Sequence, residues 1–284
     1  MTDGILAPGL DLPDLLNETE ASYDWLIPDL LERGDRVIIT GKEGKGKSTL
    51  LRQMAVQAAL GIHPFTLEPH SALKVVLIDL ENSRRQTRRE LLKVLGDRIP
   101  PYGLHVVNWS QGIDLTQSIF TEAVARLLTD QRPDLLVIGP MYKMAPHLEL
   151  EEASADLAKF LDTMRVALDF AILMESHQPH QTIIEGKIWR AERPYGSSLW
   201  MRWPEFGLCL ENDGSLRAWR GARDEDREWP SKLSQGDPST GGWLWESDRR
   251  ACAICGEPLM GKQQRYCSDR CSWAGNKRSQ RRRG

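Results

Sequence analysis

Residues 41–49, Gly-Lys-Glu-Gly-Lys-Gly-Lys-Ser-Thr, constrain this chain more than any other stretch. They satisfy G-x-x-x-x-G-K-[ST], the pattern of a phosphate-binding loop, which needs a strand before it and a helix after it. Arg36-Val37-Ile38-Ile39-Thr40 is a short β-branched run of the kind that forms a buried strand. Leu50 to Leu60, closed by Gly61, has the apolar content and the stop signal of a helix. Gly41, Gly44 and Gly46 let the backbone curl around an anion, so that loop N–H groups and the helix N-terminus face it. In such a site Lys47 reaches the β- and γ-phosphates and the Ser48 hydroxyl ligates Mg²⁺. Gly41, Lys42, Glu43, Gly44, Lys45, Gly46, Lys47, Ser48 and Thr49 are therefore the expected seat of a nucleoside triphosphate.

The rest of the chain supplies the sheet that such a loop requires. Lys74–Leu80, Leu104–Val107, Leu135–Ile138 and Phe170–Met174 read as strands, the third apolar throughout, as burial on both faces demands. Helices are expected from the Asn82-Ser83 cap to Leu95, over 116–129 and over 152–168. Phe206–Leu210 and Ser215–Trp219 form a hairpin around Asp213-Gly214. A helix broken near Pro28 is expected over 22–31, with Trp25, Leu26, Leu30 and Leu31 packed on the sheet. The expected fold class is α/β with a mostly parallel central sheet. The 284 residues suffice for one large domain and a small module. The expected division is an N-terminal arm over 1–21, the nucleotide-binding domain over 22–223 and a linker over 224–250 rich in charge, Gly, Pro and Trp. A metal module over 251–275 and a basic tail over 276–284 follow. No apolar run approaches a membrane span and Met1-Thr2-Asp3-Gly4 carries no basic signal region, so a cytoplasmic protein without a membrane partner is expected.

Two features outside the loop carry chemistry. Glu81 follows a buried strand, at the carboxyl edge where α/β sites gather, and is the expected group directing a water nucleophile, with Asp79 as the alternative. Cys252, Cys255, Cys267 and Cys271 form C-x₂-C-x₁₁-C-x₃-C, which suits four thiolates around Zn²⁺. About thirty residues build no core of their own, so the metal would supply the folding energy. Lys277, Arg278, Arg281, Arg282 and Arg283 follow with no acid among them; they read either as a nucleic-acid contact or as a solvated end.

Taken in order, these segments resemble the RecA-type P-loop ATPase core, in the branch of plasmid RepA-like and DnaB-type replicative helicases and related plasmid or phage AAA-family ATPases. Leu77–Ser83 resembles the strand whose terminal Glu polarises the attacking water. Leu173–His177 resembles the strand ending in a polar γ-phosphate sensor, which puts Ser176 and His177 at the nucleotide. Gly196-Ser197-Ser198-Leu199 with the hairpin resembles the late Gly-Ser-rich segment. The resemblance spans about 25–229 and implies a DNA helicase that hydrolyses Mg·ATP as a homo-oligomeric ring, such as a hexamer. It implies single-stranded DNA gripped by the 141–151 and 181–198 loops, and replication proteins as partners. A transition-state arginine would come from a neighbouring subunit; Arg220 and Arg223 match that location best, ahead of Arg202 and Arg193. One position departs from the pattern: the magnesium-positioning Asp that follows the central apolar strand is replaced by Gly139, then Pro140. Asp134 lies at the wrong end of that strand, so Asp79 or Glu81 would have to cover the task through water. Two other roles stay open: a recombination or helicase-loading ATPase that does not unwind, and a nucleotide-gated DNA-binding module with little turnover.

Overall fold

The structure is a computed structural model that describes residues 11–16, 23–179, 182–184, 187–189, 193–221, 227–247, 254–255, 266 and 268–274. Its centre is a seven-stranded sheet: β1 (Arg36–Gly41), β2 (Val75–Asp79), β3 (Leu104–Asn108), β4 (Leu135–Gly139), β5 (Ala171–His177), β6 (Phe206–Leu210) and β7 (Leu216–Arg220). The spatial order is β7-β6-β1-β5-β4-β2-β3. All neighbours are parallel except the β6–β7 hairpin. The helices α1 (Lys47–Leu60), α2 (Arg84–Leu95), α3 (Ser118–Gln131) and α4 (Glu151–Leu168) occupy the crossovers. The reading of a mostly parallel α/β sheet holds.

Alternation of side chains along each strand divides the core into two faces. Val75 and Leu77, Leu135 and Val137, and Ala171 and Leu173 join one cluster with Leu50, Leu51, Met54 and Ala55 of α1. Val76 and Ile78, Leu136 and Ile138, and Ile172 and Met174 join the other, with Val124 and Leu128 of α3 and Leu157 and Leu161 of α4. Odd positions of β2, β4 and β5 therefore face α1.

Two expectations are corrected. The helix expected over 22–31 is not formed among its described residues, 23–31: Trp25–Ile27 and Leu31–Glu32 pair as a small antiparallel ribbon turning through Asp29 at φ 56. Pro28 withholds the N–H that a helix would need there, and Leu26, Leu30 and Leu31 are buried all the same. The stretch read as a linker is packed from residue 227 to 247. Arg227 pairs with Asp35 and Glu32 and lies 4.5 Å over the Trp25 ring. Leu233–Gln235 and Trp245–Ser247 pair as an antiparallel ribbon, and Trp243 and Trp245 are buried. This segment covers the side of α1 turned away from the sheet, so α1 is apolar or buried nearly all round. Gln53 donates to the Trp245 carbonyl at 2.6 Å and accepts the Trp245 N–H at 2.8 Å, and its amide acts as a further strand for the ribbon.

Candidate nucleotide site

The loop between β1 and α1 has the conformation its glycines allow. Gly46 sits at φ 84 as the N-cap of α1, and a Cβ there would lie 2.7 Å from the Trp245 ring. No side chain caps this helix end, so its first N–H groups are available to an anion. Lys47 is buried, and its ammonium donates to the carbonyls of Gly41 at 2.9 Å and Lys42 at 2.8 Å. The cation is thus held at the loop mouth by groups that a phosphate can replace. Lys42, Gly46, Ser48 and Thr49 are half-buried, while Glu43, Gly44 and Lys45 are exposed.

Below the loop, strand alternation brings Asp79, Gly139, Glu175 and His177 to the α1 face. Asp79 is 5% exposed and accepts from Arg52 at 2.9 Å, Thr87 at 2.8 Å and the backbone of Glu81 and Asn82 at 3.1 and 2.9 Å. Burial alone would raise its pKa; the bonds from Asn82, Arg52 and Thr87 outweigh that and hold it below the usual carboxylate range. The alternative role given to Asp79, as base or metal group, is therefore corrected. Its acceptor capacity is spent on fixing the turn that aims Glu81 and on neutralising Arg52. Asp134 lies at the far end of β4, bonded to Arg33 and to the backbone of Lys74, as its position in the sequence requires.

Sequence reasoning missed Glu175. It stands next to Gly139 across the β4–β5 pairing, and its Oε2 accepts the Ser48 hydroxyl at 2.7 Å. A Cβ on Gly139 would lie 2.7 Å from Glu175 Cγ. The Glu175 side chain thus occupies the volume that a side chain at 139 would take. Burial pushes its carboxyl up, against the pull of Ser48, Lys47 and Arg52. The signal was in the sequence: 171, 173 and 175 share one face of β5, and a glutamate there adjoins the glycine.

Glu81 is exposed at the exit of β2. Tyr142, from the turn after β4, donates its hydroxyl to Glu81 Oε1 at 3.1 Å. Burial, then the Glu81 carboxylate, push the Tyr142 hydroxyl up to about 12, so it remains a donor. The His177 ring lies 5.4 Å from the Tyr142 ring, and His177 Nδ1 is 3.6 Å from Glu43 Oε1 across the loop. Glu81, Tyr142 and His177 therefore form one rim, and Tyr142 was not foreseen. Ser176 is not on it: it is buried on the opposite face and its hydroxyl donates to the His177 carbonyl at 3.1 Å. Arg220, at the end of β7, donates to the Met201 carbonyl at 2.7 Å and does not reach the loop of its own chain. Arg202 pairs with Glu151 on the surface. Arg223 lies outside the described residues.

A family model described as an AAA domain matches residues 7–182. The chain belongs to this AAA-domain family. No curated protein matches it. Among solved structures, it is similar to a KaiC-like protein from the hyperthermophilic archaeon Pyrococcus horikoshii OT3, with 19% identity and a TM-score of 0.50. That alignment covers 76% of this chain and 90% of the archaeal one. The likeness is one of fold, and it agrees with the sheet and loop described above. The chain carries a RecA-like P-loop ATPase core.

The residues at the phosphate loop of this ATPase fit Mg²⁺. A hydroxyl and a carboxylate side by side, Ser48 and Glu175, are hard oxygen donors suited to Mg²⁺. Of the four cysteines expected to hold zinc, the structure describes Cys255 and Cys271. Cys255 and Cys271 bring their sulfurs to 3.6 Å. A tetrahedral site with Zn–S near 2.3 Å has an S–S edge of about 3.8 Å. Cys252, Cys267 and the basic tail lie outside the described residues. Among the described residues no three His, Cys, Asp or Glu gather at one point, and no helix is long and apolar enough to cross a membrane.

Proposed function

We propose that this ATPase is a DNA motor of the replicative-helicase type, working as a homo-oligomeric ring on single-stranded DNA. The observation that carries the reading is the rim above the loop, where Glu81, Tyr142 and His177 meet around the mouth held by Lys47. Glu81 directs the water, and the Tyr142 hydroxyl holds that carboxylate in place. His177, 3.6 Å from Glu43 of the phosphate loop, would report loss of the γ-phosphate to the segment after β5; residues 181, 185–186 and 190–192 of the 181–198 loop lie outside the described residues. Ser48, with Glu175 beside it, would hold Mg²⁺, which would supply positive charge against the phosphates. Arg220 or Arg223 of a neighbouring subunit supplies the remaining positive charge.

Contact with DNA phosphates is supported by charge. Arg84, Arg85, Arg88 and Arg89 are all exposed on α2, which starts beside Glu81. A stripe of this kind attracts a polyanion through counterion release. A zinc module on Cys252, Cys255, Cys267 and Cys271, continued by Arg278 to Arg283, adds a second basic surface. The test is ATP turnover by the full chain with and without single-stranded DNA, together with displacement of a strand from a forked duplex. A motor is stimulated by DNA and displaces the strand. Stimulation without displacement marks a loading or recombination ATPase, and DNA binding without turnover marks a nucleotide-gated module.

A further inference from the structure

We propose that Glu175, on β5, is the carboxylate that positions the divalent cation at Ser48, in place of the residue absent at position 139 on β4. Three independent facts converge on it. The Ser48 hydroxyl, the expected metal ligand, already donates to Glu175 at 2.7 Å. The Gly139 position and the Glu175 side chain compete for one volume, since a Cβ at 139 would fall 2.7 Å from Glu175 Cγ. The other acid on this face, Asp79, is committed to Arg52, Thr87 and its own turn. Among the described residues, Glu175 is therefore the one carboxylate on the α1 face of the sheet directed at the loop.

The geometry also says why glycine stands at 139. A carboxylate there and one at 175 would be forced into the same pocket as two adjacent buried anions, which repel and lose their hydration. Moving the acid one strand over requires its old place to be vacated. Glu175 is a positioning residue here: it holds Ser48 and adds negative charge beside the cation, while Ser48 is the ligand. The assignment rests on the P-loop ATPase reading, and its test separates the two.

Titration of ADP into the full-length protein, with Mg²⁺ and again with EDTA, gives the factor by which Mg²⁺ tightens binding. Glu175→Gln preserves size and one acceptor but removes the charge. It is expected to reduce that factor roughly 10- to 100-fold, with affinity in EDTA close to the parent's. The double variant Gly139→Asp with Glu175→Ala returns a carboxylate to β4 in the vacated space and is expected to restore the factor. An unchanged Mg²⁺ factor in Glu175→Gln overturns the proposal. So does an equal loss of affinity with and without Mg²⁺, which would make Glu175 a prop for the loop. A parent protein that binds no ADP in either condition overturns the nucleotide site itself, and this assignment with it.

Discussion

Replacing Gln53 by Leu tests whether residues 227–247 belong to the ATPase core. Gln53 is fully buried, and its amide makes both hydrogen bonds to the backbone of Trp245. Leu has nearly the same volume, so little cavity opens, but a buried N–H and a buried C=O lose their partners. Each unsatisfied group costs about 1–3 kcal/mol, which sums to roughly 2–6 kcal/mol. The ribbon could escape that cost by undocking, which would expose Trp243 and Trp245, now 2% and 6% exposed. At about 25 cal/mol per Å² over 150–250 Å², each tryptophan holds the ribbon down by roughly 4–6 kcal/mol. Undocking is the more expensive course. The loss should therefore appear in global unfolding, as a lower urea midpoint. Amide hydrogen exchange in 233–247 should remain protected until the whole domain opens. A loss below about 1 kcal/mol would refute the reasoning, as would an unchanged global midpoint with protection lost in 233–247 alone.

Asp79→Ala should destabilise the domain by about 3–5 kcal/mol, because Arg52 would remain buried without its partner; denaturant titration measures it. His63 is held neutral, its pKa lowered to about 4 by burial, and its Nδ1 accepts the N–H of Phe65 and Thr66. Its contribution is complete above pH 6.5 and is lost as pH falls through about 4. The stability gap between the parent and His63→Gln, followed by urea unfolding, should accordingly shrink from pH 7 to pH 4. Deleting residues 251–284 should leave basal ATP turnover largely intact. It should also flatten the salt dependence of single-stranded DNA binding, by a log–log slope of about 0.7 for each phosphate contact removed.

The fold was legible where one signal served one purpose. The phosphate loop, its strand and its helix follow from glycine spacing and a β-branched run, and β2, β4 and β5 from apolar runs too short for helices. Ser83 with Gln86 even forms the capping box that starts α2. Legibility failed where tertiary contacts decide. Arg227, Trp243 and Trp245 lie in a stretch whose average composition is that of a linker, and their anchoring on Asp35, Arg98 and α1 is set by residues more than 140 positions away in the case of Arg98 and Trp243. Pro28 and Asp29 make a turn that periodicity alone does not separate from a broken helix. In the site, Lys47 and Ser48 open α1 directly after the glycine loop and Glu81 follows the end of β2, the positions their motifs give them. Glu175 was hidden because the expected carboxylate was sought along β4, whereas the sheet supplies it from the neighbouring strand. Strand parity, together with Gly139, pointed to it. Tyr142 carried no such signal, for it follows a strand by a turn whose direction the sequence leaves open.

The central claim is that ATP bound on the Lys47 loop is hydrolysed by water that Glu81 directs. The most direct measurement compares ATP binding and steady-state hydrolysis in the parent and in Glu81→Gln, with Mg²⁺ present. The amide fills the same space but cannot take the water's proton. The account predicts binding close to the parent's and turnover lower by roughly 100-fold or more. Hydrolysis at the parent rate in Glu81→Gln would contradict it and place the catalytic carboxylate elsewhere.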